Sequence, residues 1–247
     1  MKARRLRYAF LMNKARLDDL KRFYKAVDAL STAAGGPRML AACNAKLGWP
    51  KRGVYFFMED GELRSHTGAG PRIVRVGTHA LKTGSQTTLW KRLSQHRGRA
   101  SSGSGNHRGS IFRLIVGTAL IEKHGYEFPT WDNRRASAPA EIRAAERVLE
   151  CEVSKTLGAM RFLWLGVDDE AGPASKRGYI ERNAIALLSN FGKEPIYPPS
   201  PSWLGHHCNR PRVKASGLWN ANHVDEQYDT KFLGELERLV SEAGAGR

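Results

Sequence analysis

Two short runs constrain this chain most: Gly53-Val54-Tyr55-Phe56-Phe57 and Ile73-Val74-Arg75-Val76-Gly77. Both are rich in β-branched and aromatic residues, and Glu59-Asp60-Gly61-Glu62 opens a turn-rich connection between them. The pattern predicts strands over 53–58 and 72–76, paired as a hairpin with a long loop. A hairpin needs other elements to cover its apolar face, so the remainder of the chain has to supply them.

Helical spacing supplies most of that cover. Leu17, Leu20, Phe23, Tyr24, Val27 and Leu30 recur at three- and four-residue steps up to Gly35-Gly36-Pro37, which predicts an accessory helix. Further helices are expected over 87–97, over 140–157 on Ile142, Ala145, Val148, Leu149 and Val153, over 179–190, and over 225–243 on Phe232, Leu233, Leu236, Leu239 and Val240. The runs 111–121 and 161–167 read as strands. Residues 98–110 read as a Gly/Ser-rich basic loop, 168–178 as a polar connection, and the proline-rich 195–203 as irregular. No internal repeat interrupts this order. The expected architecture is α+β: a small, mostly antiparallel sheet flanked by helices, with helical N- and C-terminal extensions. Residues 1–50 form the first extension, 51–205 a core carrying an insertion at 98–178, and 206–247 a loop and helix packed on the core.

Charge narrows the partner. Lys and Arg total 40 against 24 Asp and Glu, a formal net charge of +16, which suits a polyanion whose counterions are released on binding. Nucleic acid is the expected partner. Membrane is not, because no apolar run approaches the roughly 20 residues of a spanning helix, and Tyr8 to Met12 is too short for a secretion signal. Cys43, Cys151 and Cys208 are widely separated and form no CxxC pair, so neither a disulfide framework nor a cysteine zinc site is indicated and a reducing cytoplasm fits. His206-His207-Cys208 is a poor metal site, since consecutive side chains rarely converge on one ion. Ser216 to His223, rich in amides and aromatics, suits either the reading of base edges or the anchoring of a loop.

The ordered motifs resemble the GIY-YIG nuclease superfamily. Gly53-Val54-Tyr55 is similar to the first half of the name motif with valine for isoleucine, and Arg75-Val76-Gly77 to the second half with arginine in the usual tyrosine position. Leu89-x-x-Arg92-Leu93-x-x-His96 resembles the family's helix, whose arginine is catalytic and whose residue four later is a tyrosine or histidine. Glu181, within Tyr179-Ile180-Glu181-Arg182-Asn183-Ala184-Ile185, is similar to the metal-binding glutamate that precedes an apolar helix, and Asn190 is set against the family's downstream asparagine. The motifs cover 53–96 tightly and 179–190 more loosely. The long insertion resembles the restriction-endonuclease branch more than the minimal repair module.

The resemblance implies a divalent-metal-dependent endonuclease that hydrolyses DNA, with one Mg²⁺ (or Mn²⁺) per site and no organic cofactor, cytoplasmic and nucleoid-associated when bound to DNA. The residue types suit that chemistry. Phosphodiester hydrolysis needs a positioned water, neutralisation of charge on the phosphoryl oxygens and help for the departing 3′ oxygen. A hard divalent ion is commonly held by one or two carboxylates plus phosphate and water, so Glu181 suffices as its protein ligand. Arg92 supplies a guanidinium fork for phosphate. Tyr55 serves as base or water-positioning group, Arg75 as a further electrostatic group, and His96 as proton-transfer aid or phosphate contact. Arg92 and His96 share a helix face, and Tyr55 and Arg75 share a sheet face if the hairpin register allows it. In the basic loop, Arg97, Arg99, His107 and Arg108 are expected to track phosphates. Two other readings share the scaffold: a DNA-binding protein without turnover, which Arg75 in the tyrosine position favours, and an RNA-directed nuclease.

Overall fold

The computed structural model describes residues 2–133 and 137–245. Eight α-helices occur among the described residues: α1 (Lys2–Ala34), α2 (Leu89–Arg97), α3 (Ile111–His124), α4 (Ala140–Ala145), α5 (Arg147–Ala159), α6 (Lys176–Leu188), α7 (Pro211–Ser216) and α8 (Lys231–Ala245). They flank one four-stranded sheet of β1 (Arg38–Met39), β2 (Gly53–Leu63), β3 (Pro71–Gly77) and β4 (Arg161–Gly166). The spatial order is β1-β4-β2-β3, and every pairing is antiparallel. The α+β architecture expected from the sequence is therefore the one observed.

Alternation along the strands divides the interior in two. On one face Val54, Phe56 and Ile73 pack with apolar side chains of α1, α6 and α8. On the other, Tyr55, Phe57 and Phe162 pack with α2, α3 and α5. The hairpin lies between two helical layers.

Four expectations change. Residues 111–121 form helix α3, not a strand. Its residues from Phe112 to Leu120 are buried all round, so no polar stripe reveals the period of 3.6, and β-branched content misleads. Ser110 caps this helix by accepting the Arg113 N–H at 3.3 Å. The expected 140–157 helix breaks into α4 and α5 around Glu146, whose carboxylate turns inward to Arg108 and to Thr130. Strand β2 runs on to Leu63, through the residues expected to turn, because buried Glu62 pairs with Arg72 at 2.5 Å. The 225–243 helix starts only at Lys231, where Asp229 Oδ1 accepts the Lys231 N–H.

A second buried pair ties the insertion to the core. Arg113, fully buried, donates to Glu150 through Nε at 2.9 Å and to the carbonyl of His96 at 2.9 Å, while Glu150 also accepts from the His107 backbone N–H at 2.6 Å. Burial pushes the Glu150 carboxyl up, but His107 and Arg113 outweigh it and hold the group below the usual carboxylate range. Removing one partner of such a pair strands a buried charge. Glu150→Ala is expected to cost about 3–5 kcal/mol of stability, read by chemical denaturation; a cost under about 1 kcal/mol would contradict this account.

Candidate active site

The hairpin register sets the site. Tyr55 pairs with Gly77 and Phe57 with Arg75, so Tyr55 and Arg75 project from one face of the sheet. The two motif glycines each permit a close approach. A Cβ at Gly53 would collide with the carbonyl of Leu165 on β4, and a Cβ at Gly77 would collide with the Tyr55 ring that lies across it. Tyr55 crosses the neighbouring strand because nothing but hydrogen projects there.

Helix α2 then brings its lower face to the tyrosine. Thr88 caps it, accepting the Lys91 N–H at 3.2 Å, and Leu89 and Leu93 anchor it in the core. His96, on the same face as Leu93 and Leu89, lies 2.9 Å from the Tyr55 hydroxyl through Nε2 and 2.7 Å from Ser110 Oγ through Nδ1. Tyr55 is 1% exposed and His96 0%. Burial, then the charges of Arg92, Arg75 and Arg113, hold the His96 imidazole well below its usual range, so it is neutral. With the ring proton on Nδ1 and donated to Ser110, Nε2 accepts the phenol hydrogen, and the phenol oxygen keeps lone pairs for a third group. His96 thus contacts Tyr55, and its burial keeps it from any phosphate.

Arg75 is also buried, at 5% exposure. Its Nη1 donates to the carbonyl of Trp219 and its guanidinium lies over the Phe112 ring, 4.5 Å from the centroid. Its Nε has no partner among the described residues. Burial lowers the Arg75 pKa first, with Tyr55 and Glu181 pulling it back up and Arg92 adding to the fall, so these four groups share one electrostatic field. Arg92 is half-buried and oriented by the Gln95 side chain at 3.1 Å and the Gly109 carbonyl at 3.2 Å.

Glu181 approaches from the other helical layer. Ser175 caps α6, accepting the Gly178 N–H at 3.3 Å, which starts the helix earlier than the sequence suggests and places Glu181 in its second turn. The helix macrodipole, which fades beyond the first turn, therefore does not account for this carboxylate. Its Oε1 accepts the Thr78 N–H at 3.0 Å, just past the end of β3, and the residue lines a cleft of about 730 Å³. Burial raises the Glu181 carboxyl above its usual range, while Arg75, His223, the Thr78 amide and Arg92 oppose that rise.

Further residues near the site come from the 216–223 segment, which the sequence left between base reading and loop anchoring, and from the region of Asn190. Trp219 and Asn220 line the outer edge of β3: Trp219 N donates to Val74 O at 2.8 Å, and the Asn220 side chain accepts the Val76 N–H at 3.2 Å and donates to its carbonyl at 2.8 Å. The 216–223 segment thus anchors the sheet edge. His223, at φ 64° in the left-handed region, lines the same cleft as Glu181 with Nδ1 held 2.6 Å from Glu226. Asn190, matched in the sequence to the family asparagine, is buried and serves the fold, accepting from Arg16 at 3.1 Å and donating to Tyr197 O at 3.0 Å.

The expected phosphate contacts separate. Arg99 is exposed. Arg97 is half-buried, donates to the Cys43 carbonyl and lies 5.4 Å from the Trp90 ring. His107 is interior, stacked on Trp131 at 3.9 Å and held 2.9 Å from Glu150, and Arg108 is neutralised by Glu146 at 2.6 Å. Glu150 of α5 and Glu146 at the α4–α5 junction hold His107 and Arg108.

The family model for the GIY-YIG domain matches residues 14–245. The chain belongs to the GIY-YIG family. No curated protein and no solved structure matches it. GIY-YIG proteins are generally endonucleases that use divalent metals, and the match runs from within α1 through the motif-bearing hairpin and helices to the end of α8. No described helix is long and apolar enough to cross a membrane.

Proposed function

We propose that this GIY-YIG protein is a divalent-metal-dependent endonuclease acting on DNA. The observation that carries the reading is the Tyr55 hydroxyl held by His96 at 2.9 Å on the sheet face that Arg75 shares, with Arg92 on the helix of His96 and Glu181 tied to the end of β3 through the Thr78 N–H. Glu181 suits a hard cation: one carboxylate oxygen accepts the Thr78 N–H, which leaves the other for an ion, and the residue lines an open cleft. A lone carboxylate completed by water and substrate phosphate is a common Mg²⁺ arrangement. When bound, the ion supplies positive charge at the phosphoryl and departing oxygens. Tyr55 orients the attacking water and takes its proton as the phenol hydrogen passes to His96 Nε2, which already accepts it in a hydrogen bond. Arg92 grips the phosphate, and Arg75 stabilises negative charge that develops at the phenol.

Purified protein with Mg²⁺ or Mn²⁺ is expected to nick or cut plasmid DNA, and RNA tested beside it to be cut more slowly. Salt-sensitive DNA binding with no cleavage under any divalent ion would instead support the binding-only scaffold, which the arginine in the second motif favours.

Acidity provides a further check. A ligating carboxylate must be ionised, and the folded environment raises the Glu181 pKa, so protonation sets in at higher pH than for an ordinary glutamate near 4.3. Cleavage at limiting Mg²⁺ is expected to fall on the acid side with a midpoint above about 4.3. Raising Mg²⁺ should move that midpoint to lower pH, because metal and proton compete for one group. An acid limb indifferent to Mg²⁺ concentration would remove Glu181 from the metal role.

A further inference from the structure

The insertion builds a second concave surface beside Arg92. A groove of about 980 Å³ runs between the outer side of α2, the 98–109 loop and the α4–α5 junction. Arg92 borders it, since both of its hydrogen-bond partners, Gln95 and Gly109, line the groove. Its walls are fixed. Arg108 and Glu146 join the loop to the α4–α5 junction, Glu150 joins the loop at His107 to α5, and Arg113 joins α5 to the end of α2.

Besides Arg97, which is held by the Cys43 carbonyl and the Trp90 ring, three guanidiniums line this groove with no carboxylate partner among the described residues: Arg99 from the loop, and Arg143 and Arg147 on either side of the α4–α5 break. Inward-facing Glu146 is committed to Arg108, so it leaves these cations uncompensated. On the helices of the opposite layer, by contrast, Arg22 pairs with Glu237 and Arg238 with Glu235 and Glu242. Unpaired guanidinium forks on a rigid concave wall, continuous with the arginine of the motif helix, suit a chain of phosphates.

We propose that Arg99, Arg143 and Arg147 hold the backbone of the DNA duplex flanking the cut, so that the insertion sets binding while the hairpin and α6 set cleavage. The identity of the occupant rests on the nuclease reading above. Each guanidinium that neutralises a duplex phosphate contributes about 0.9 to the slope of log K against log salt.

The test measures duplex DNA binding, without divalent metal, as a function of salt in a Glu181→Gln background. Replacing Arg99, Arg143 and Arg147 together by alanine is expected to weaken binding and flatten the slope by about 2 to 3. Replacing Lys21, Arg22 and Lys25 on α1, which removes the same charge from the other side of the sheet, is expected to leave the slope unchanged. An unaltered slope in the groove variant, equal flattening in the α1 variant, or no DNA binding by the parent protein overturns the proposal. Plasmid cleavage by the protein with Glu181 intact is scored separately. Cleavage with an unaltered groove slope removes the groove and keeps the nuclease, and a flattened slope without cleavage does the reverse.

Discussion

Glu181→Gln is expected to abolish DNA cleavage and raise the melting temperature of the protein. The first effect follows from the loss of the metal-binding carboxylate, for which several kcal/mol of transition-state stabilisation is reasonable. About 4 kcal/mol corresponds to about three decades in rate. The second follows from the sign of the Glu181 shift. Its pKa is raised in the fold, so the native state binds the proton more tightly than the unfolded chain, and the ionised form present at neutral pH works against folding. Glutamine keeps an oxygen to accept the Thr78 N–H and removes the charge. Cleavage assays paired with thermal melts check both effects. A variant that cleaves within tenfold of the parent rejects the assignment of Glu181, and one that melts lower rejects the electrostatic account of its burial.

The second large effect is expected at Gly77. An alanine there would place its methyl inside the Tyr55 ring, and since Tyr55 is packed and tied to His96, strand and ring must separate. Overpacking of this kind costs about 1–3 kcal/mol. Displacing a catalytic group by about 1 Å costs on the order of 10²-fold in rate. Gly77→Ala should therefore fold less stably and cleave at least about a hundredfold more slowly. Gly234→Ala is the matched control: nothing lies within 4 Å of the added methyl, and in a helix interior the change is expected to stabilise by about 0.5–1 kcal/mol. Equal behaviour of the two variants would show that the tyrosine does not depend on the bare glycine.

What could be read from the sequence was local. The hairpin, α2 and α6 each carry their own periodicity, and the hairpin register followed once two alternating strands met at fixed positions. The contacts that finish the site were not legible. Ser110 reaches His96 only because α3 is a helix, and a segment buried on all sides hides its period. Trp219 meets Val74 across more than half the length of the chain, and Glu146 and Glu150 claim Arg108 and His107 from about forty residues away. Such pairings depend on how layers stack, which periodicity does not encode.

The Asn220 amide beside Val76 bears on assembly. The outermost strand of an open sheet offers unpaired peptide groups that recruit other chains, in fibrils or by strand addition. Here Asn220 and the Trp219 main chain satisfy those groups on β3, and the opposite margin is only the two-residue β1. A strand added beside β3 would first have to displace the Asn220 amide and the Trp219 main chain from Val76 and Val74.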